Sequence, residues 1–109
     1  MKYTYQAEVL RVVDGDTIDV ILDLGLNIKS TQRLRLARIN AWEPKGEERE
    51  KGLKATSALN TLINGSSVKV ETLKDSRGKY GRYLAEIWIG NVNVNDIMVY
   101  EGHARYVDY

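Results

Sequence analysis

The sequence has no cysteine and a single histidine, His103, and both shortages exclude kinds of site. Without cysteine, neither disulfide bonds nor thiolate metal sites can form. One histidine alone cannot build a histidine-based nuclease centre, and we expect His103 at the surface. Any catalytic or metal chemistry must therefore rest on carboxylates, amides, hydroxyls and cationic side chains.

Long apolar runs and a large net charge are also missing. No stretch approaches the roughly 20 apolar residues of a membrane span, and the N-terminus has no apolar signal core. We therefore expect a soluble chain without membrane contact, and favour a cytoplasmic one. The net charge is only +1, so any contact with nucleic acid must be local. Two basic clusters could supply it, although each alone is better explained by solvated surface: Arg33, Arg35 and Arg38, and Lys74, Arg77, Lys79 and Arg82.

The pattern of the 109 residues predicts one domain, residues 1–109, that is mainly β. Strands are predicted over residues 3–13, 17–24, 32–39, 67–73 and 82–89. A helix is predicted over residues 47–64, weakened early by Gly52, and a short helix over residues 94–101. The longer helix has a predicted apolar stripe of Leu53, Ala55, Leu59, Leu62 and Ile63. Five strands with a helix between the third and the fourth are typical of the OB-fold, a Greek-key barrel of α+β type.

Two local features refine these elements. Asp14-Gly15-Asp16-Thr17 predicts a tight turn between the first two strands, because glycine tolerates positive φ. In the third strand Arg38 would share a face with the leucines, so the strand must bulge or end there. Residues 40–46, which contain the only proline, are predicted as a loop.

Several of these positions could carry chemistry. Asp16, Asn40 and Glu43 offer oxygen ligands that suit a hard cation such as Ca²⁺, and Arg35 and Arg82 offer guanidinium groups for a phosphate. One carboxylate, two arginines and one metal ion would suffice to hydrolyse a phosphodiester. Ordinary turn and loop chemistry, with a structural Arg35–Glu43 ion pair, explains the same residues, and residue types alone leave both interpretations open.

Several motifs together resemble the staphylococcal nuclease family. They occur in family order and extend from residue 9 to residue 104, almost the whole chain. Each is weak alone, but the combination is specific. The matching stretches are Val13-Asp14-Gly15-Asp16-Thr17, Arg33 to Glu43, Lys79-Tyr80-Gly81-Arg82, Val94-Asn95 and Gly102-His103-Ala104.

The resemblance implies an OB-fold phosphodiesterase that uses Ca²⁺ and cleaves DNA and RNA, leaving 3′-phosphates. Asp16 matches the family's calcium-binding aspartate, and Asp14 its neighbour. Asn40 and the backbone carbonyl of Ala41 take the positions of the further metal ligands.

The resemblance also assigns roles around the phosphate. Arg35 and Arg82 match the two arginines that hold the scissile phosphate, and Glu43 matches the glutamate that activates the attacking water. Lys79 and Tyr80 match residues along the nucleotide's phosphates. Tyr106 and Tyr109 lie near family tyrosines, but the local pattern does not match well enough to transfer a role.

Two positions depart from the family pattern. Asn40 stands where aspartate is usual, which keeps an oxygen but loses a negative charge and predicts a weaker calcium site. Trp42 stands where proline is usual, which removes a rigid φ just before Glu43. Its indole could loosen Glu43, stack on a base, or simply pack.

We therefore predict a calcium-dependent nuclease acting on DNA or RNA, preferably single-stranded, and favour a monomer. Two further interpretations stay open. The first is a nucleic-acid-binding module of the same fold with weak or no catalysis. The second is a protein-interaction domain on the same barrel, against which the retention of Arg35, Glu43 and Arg82 argues.

Overall fold

The computed structural model describes the backbone of residues 2–77 and 83–107 and the side chains of residues 3–73 and 83–107. In chain order its elements are β1 (Lys2–Asp14), β2 (Thr17–Asp23), β3 (Lys29–Leu36), β4 (Ile39–Ala41), a 3₁₀ turn (Gly46–Glu48), α1 (Arg49–Ile63), β5 (Ser67–Arg77), β6 (Tyr83–Ile89), β7 (Val92–Asn93), α2 (Val94–Tyr100) and β8 (Ala104–Tyr106).

Five strands close into a barrel. The main sheet runs β3-β2-β1-β5-β6, with β7 as a short addition beside β6. The strands pair antiparallel except at the closure, where β6 runs parallel to β3. With α1 between β3 and the strands β5 and β6, this is the OB-type barrel that the sequence predicted.

Alternating apolar residues fill the barrel. Ile18 and Val20 of β2 are fully buried and Leu22 nearly so, as the period of two predicted. Ala55, Leu59 and Ile63 of α1 join the same core. Burial of these side chains provides most of the driving force for closing the barrel. Other core residues are Val9, Leu34, Leu36, Ile39, Val68, Val70, Ala85, Ile87, Val94 and Met98.

The predicted apolar stripe of α1 is wrong at two positions. Leu53 and Leu62 are 44% and 37% exposed, whereas Gly52 is buried. The helix turns a narrow face toward the barrel, formed by Gly52, Ala55, Leu59 and Ile63, and Leu53 and Leu62 lie at the edge of that face. The helix begins at Arg49, two residues later than predicted, because residues 46–48 form the 3₁₀ turn. Its predicted end is confirmed by Gly65, whose φ is +75°.

The third strand ends earlier than predicted, at Leu36. Arg38 has a φ of +69°, a left-handed conformation that turns the chain out of the strand. This explains why Arg38 could not share the leucine face. After the turn, Ile39–Ala41 forms β4 and pairs antiparallel with β8. Asn40 and Ala41 therefore lie in a strand and not in the predicted loop.

Two further features of the helices are clear. The side chain of Asn93 accepts a hydrogen bond from the amide of Asp96 at 2.9 Å, which confirms the predicted cap of α2. No helix in the described part of the chain has the length and apolar character needed to cross a membrane.

Candidate functional site

Asp16 lies at the turn between β1 and β2 and is only 8% exposed. Its Oδ2 atom accepts a hydrogen bond from the amide of Ala41 at 2.9 Å, and its Oδ1 atom accepts one from the Thr17 hydroxyl at 3.2 Å. Its backbone carbonyl accepts from the amide of Leu36 at 2.8 Å. One residue thus ties the first turn to the end of β3 and to β4.

Gly15 is needed at this turn for space. The turn predicted from the sequence is present. The φ of Gly15 is not positive, however, so the expectation that glycine is needed there for a positive φ is wrong. A Cβ atom here would lie 2.7 Å from the Cβ of Ala41 and 2.9 Å from the Cβ of Ala55. Only glycine lets β4 and α1 pack this closely around Asp16.

Arg35 is the second buried charged residue of the site, with 8% exposure. Its Nη1 atom lies 3.3 Å from Oδ2 of Asp16 and donates to the backbone carbonyls of Leu36 at 3.1 Å and Ile39 at 3.0 Å. Its Nη2 atom donates to Oδ1 of Asn40 at 3.2 Å. The guanidinium is therefore held in a fixed orientation before any ligand binds.

The other two arginines of this basic cluster are engaged elsewhere. Arg33 makes two hydrogen bonds to the carboxylate of Asp19, at 2.7 and 3.1 Å. Arg38 binds Glu86 through two hydrogen bonds and Asp96 through one, and these contacts raise its pKa. The three arginines thus form ion pairs in three separate places and do not make one continuous anion-binding patch.

An open cleft of about 450 Å³ adjoins the Asp16–Arg35–Asn40 cluster. Its walls come from β4, the segment after it, the 3₁₀ turn and β8. The cleft is lined by Asn40, Ala41, Trp42, Glu43, Lys45, Glu47, Glu48 and Arg105.

Glu43 projects into this cleft with 65% of its side chain exposed. Its backbone amide donates to Oε1 of Glu48 at 3.3 Å, and Nζ of Lys45 lies 4.0 Å from its carboxylate. Arg35 therefore pairs with the carboxylate of Asp16, and Lys45 lies near that of Glu43. The Arg35–Glu43 ion pair considered from the sequence is not among the ion pairs of the described residues.

Gly52 sets the position of the Glu43 backbone. A Cβ atom at residue 52 would lie 2.1 Å from the carbonyl carbon and oxygen of Glu43 and 2.2 Å from the nitrogen of Pro44. No side chain fits there without moving one of the two segments. The glycine that the sequence marked only as a weak point of the helix is thus a contact surface for the glutamate.

Trp42 is held by packing and hydrogen bonds. Its indole Nε1 donates to the carbonyl of Gly102 at 3.0 Å, and its amide donates to the carbonyl of His103 at 3.2 Å. Nζ of Lys51 lies 4.9 Å from the ring centroid. These contacts fix the segment before Glu43 without a proline. His103, predicted at the surface, is only partly exposed.

The structure brings Asp16, Arg35, Asn40 and Ala41 into direct contact and places Glu43 in the adjoining cleft. Arg82, Lys79, Tyr80 and Tyr109 lie outside the described residues. Sequence reasoning missed three contributors: Gly52, Glu48 and Arg105. Only Gly52 had a signal in the sequence, because a glycine inside a predicted helix can mark a close approach of another segment as well as a weak point of the helix.

Burial raises the pKa of Asp16 to about 6 and is the largest cause of the shift, followed by the side chain of Asp14. Arg35 and the amide of Ala41 act in the opposite direction without cancelling it. Burial thus disfavours the ionised form of Asp16 even with a guanidinium beside the carboxylate.

A divalent cation fits this donor set. Asp16, Asn40 and the carbonyl of Ala41 would supply hard oxygen ligands of the kind that Ca²⁺ prefers, and its charge would offset the cost of ionising Asp16. Among the described residues no group of three acidic or histidine side chains is placed to hold a metal ion. A cation here would therefore have fewer than three charged ligands in the described part of the chain, which favours weak binding.

We expect Asp16→Asn to remove a pH-dependent loss of stability from the metal-free protein. Because the folded-state pKa lies above the unfolded value of 3.8, the wild type loses stability as the pH rises from about 4 to about 6. The loss is at most about 3 kcal/mol, and the amide avoids it. Urea unfolding in chelator at several pH values measures this difference. Equal pH dependence of the two proteins over that interval would contradict it.

Two other acids, Asp19 and Asp96, have lowered pKa values, so they affect stability in a different pH range from Asp16. Hydrogen bonds from Arg33 and Arg38 lower the pKa values of Asp19 and Asp96, respectively. Their contributions to stability are lost only at more acidic pH, below their unfolded values of 3.8. The interval from about pH 4 to 6 therefore reports on Asp16.

Comparison with known proteins supports a family assignment. A sequence model described as staphylococcal nuclease homologue matches residues 33–109. A protein named uncharacterized endonuclease from Escherichia coli is 35% identical over 97 residues, 88% of this chain and 57% of its own length. The thermonuclease of Staphylococcus hyicus is 32% identical over 101 residues, 90% of this chain and 57% of its own length.

A third relative, named micrococcal nuclease, from Shigella flexneri, is 35% identical over 109 residues, covering 92% of this chain. The chain spans 57% of the length of each of these relatives. The identities extend over most of the present chain, and the barrel and the matched motifs agree with them. The chain therefore belongs to the staphylococcal nuclease homologue family.

Proposed function

We propose that the chain is a calcium-dependent nuclease that hydrolyses phosphodiester bonds of DNA or RNA, preferably single-stranded, and leaves 3′-phosphates. The observation that carries this proposal is the pairing of a rigid, buried Asp16–Arg35–Asn40 cluster with an exposed Glu43 in the adjoining open cleft. A fixed cation in a cluster that adjoins the cleft of a solvent-accessible carboxylate suits attack of water on a phosphate.

In the proposed reaction Glu43 orients a water molecule in line with the phosphorus and accepts its proton. A bond forms from the water oxygen to phosphorus, and the bond from phosphorus to the 5′ oxygen breaks. The 5′ oxygen receives a proton, which gives a 5′-hydroxyl and a 3′-phosphate. Calcium, when bound, would neutralise a non-bridging phosphate oxygen.

Arg35 is proposed to bind the same phosphate. Its contacts to Asp16, Asn40 and two backbone carbonyls orient the guanidinium in advance, so binding requires little reorganisation. Arg82 is proposed to stabilise the charge of the transition state and to assist the leaving oxygen, and Lys79 and Tyr80 to lie along the phosphates. A cleft open to solvent suits a flexible single strand, which can bend its backbone into the site.

The direct test is digestion of labelled single-stranded DNA with calcium and with chelator. Extension of the products by terminal transferase only after phosphatase treatment would identify 3′-phosphates. Absence of cleavage at millimolar calcium would contradict the proposal. Elution of the purified chain at the volume of a monomer would support a monomeric enzyme.

Asn40→Asp should lower the calcium concentration that gives half-maximal cleavage by about tenfold, because a second carboxylate joins Asp16 in the site. Titration of the cleavage rate with calcium measures the change. Asn60→Asp is the matched control, since it adds the same charge at an exposed position of α1. An equal shift in both variants would show a general charge effect in place of ligation.

A second candidate function is a binding module without catalysis. The observation that favours it is that no group of three acidic or histidine side chains surrounds the candidate metal site among the described residues. This function predicts salt-sensitive binding of single strands with no cleavage at any calcium concentration. The digestion experiment distinguishes the two.

A further inference from the structure

Arg105 lines the cleft from β8, the strand beside β4. It lies directly opposite Asn40 in the antiparallel register. Opposed residues of such a pair project from the same face, with Cβ atoms about 4.5–5.5 Å apart. The guanidinium of Arg105 therefore rises from the face that carries Asn40, one strand away from the Asp16–Arg35–Asn40 cluster.

Arg105 differs in its pairing from the three arginines at positions 33, 35 and 38. Arg33, Arg35 and Arg38 each hold a carboxylate. In the described ranges Arg105 makes no ion pair, and its cross-strand neighbour Asn40 is neutral. An exposed guanidinium without a countercharge, in a cleft, is suited to an anionic ligand.

Five charged side chains from three segments line the cleft. Glu43 and Lys45 come from the segment after β4, lie 4.0 Å apart and offset each other's charge. Glu47 and Glu48 come from the 3₁₀ turn, whereas Arg105 comes from β8. A polyanionic strand is repelled by the two glutamates and attracted by the arginine. A nucleic acid that reaches the Asp16–Arg35–Asn40 cluster is therefore directed along β8 and away from the turn.

We propose that Arg105 is a substrate-binding residue that contacts the phosphate next to the scissile one. The proposal deepens the nuclease function above and rests on it for the position of the scissile phosphate. Neighbouring strands lie about 4.8 Å apart, and the long arginine side chain extends the reach further. Arg105 thus reaches beyond the phosphate bound at Arg35 to its neighbour along the strand, and selects polymeric substrates over isolated diesters.

The test uses two thymidine oligonucleotides of equal length. One has phosphodiesters throughout, and in the other a single phosphodiester is flanked by uncharged methylphosphonates. We expect Arg105→Gln to raise KM for the first about fivefold with little change in kcat, and to leave KM for the second unchanged. Equal changes for both substrates, or none for the first, would overturn the proposal.

Arg11→Gln is the matched control, because it removes the same charge from a residue that is exposed and does not line the cleft. We expect it to leave the ratio of the two KM values at the wild-type value. A ratio altered as much by Arg11→Gln as by Arg105→Gln would show a general effect of net charge and overturn the proposal.

Binding measurements separate this proposal from the nuclease function. Fluorescence anisotropy with the same oligonucleotides should show Arg105→Gln weakening only the fully charged one and reducing the salt slope by about 0.7. A wild type that binds in this manner but does not cleave would contradict the nuclease function and support the role of Arg105. Failure of the wild type to bind either oligonucleotide would overturn both.

Discussion

Glu43→Gln should lower kcat by about 10²–10⁴-fold while the protein stays folded. The amide cannot accept the proton that Glu43 is proposed to take from the attacking water, yet it keeps nearly the same shape. Because 65% of the Glu43 side chain is exposed, its neutralisation leaves the barrel intact. Steady-state cleavage of single-stranded DNA with calcium measures the loss, and thermal unfolding checks the fold.

Glu47→Gln supplies the matched control. Glu47 lines the same cleft and its substitution makes the same charge change, but it lies on the 3₁₀ turn. We expect cleavage within a fewfold of wild type, and somewhat tighter binding of the polyanion since one repulsive charge is gone. Comparable losses of kcat in both variants would remove Glu43 from the role of general base.

Gly52→Ala should damage both stability and catalysis. In a helix with free space, this change would stabilise the protein by about 1 kcal/mol through helix propensity. Here the added Cβ meets the carbonyl of Glu43 at 2.1 Å, so α1 or the Glu43 segment must shift. We expect a net loss of about 1–3 kcal/mol in the free energy of unfolding. A misplaced general base should also lower kcat by about 100-fold.

Urea unfolding and cleavage kinetics of the same variant test this expectation. Ser57→Ala serves as the control, because Ser57 is an exposed position of α1 where a gain in helix propensity has no steric cost. Combining Gly52→Ala with Glu43→Gln gives a further check, since the second change should add little once the glutamate is displaced. An increase in stability for Gly52→Ala would disprove the close approach.

The barrel was predictable from the alternation of apolar residues, whereas the buried residues of the site were predictable from motifs. The alternation of Ile18, Val20 and Leu22 is strong because one face of β2 is fully buried. Asp16 and Arg35 were found through motifs and are the two residues that the structure buries together. Their roles in catalysis stay predictions.

The misses have physical causes. Strands of three residues, such as β4 and β8, are too short to produce a recognisable period, so the pairing of Asn40 with Arg105 could not be predicted. The needs for Gly15 and Gly52 depend on which segments approach them, and that is a property of the tertiary structure. Leu53 and Leu62 were misplaced because periodicity does not give the width of the buried face.

The parallel pairing of β3 with β6 has a consequence for synthesis. It joins segments that are distant in the chain, so the barrel closes only after β6 has been made. Until then β3, which carries Arg35 between two apolar residues, presents an unpaired edge to other nascent chains. A truncated product that stops before β6 should therefore aggregate through β3, and the site would form only upon completion of the ring.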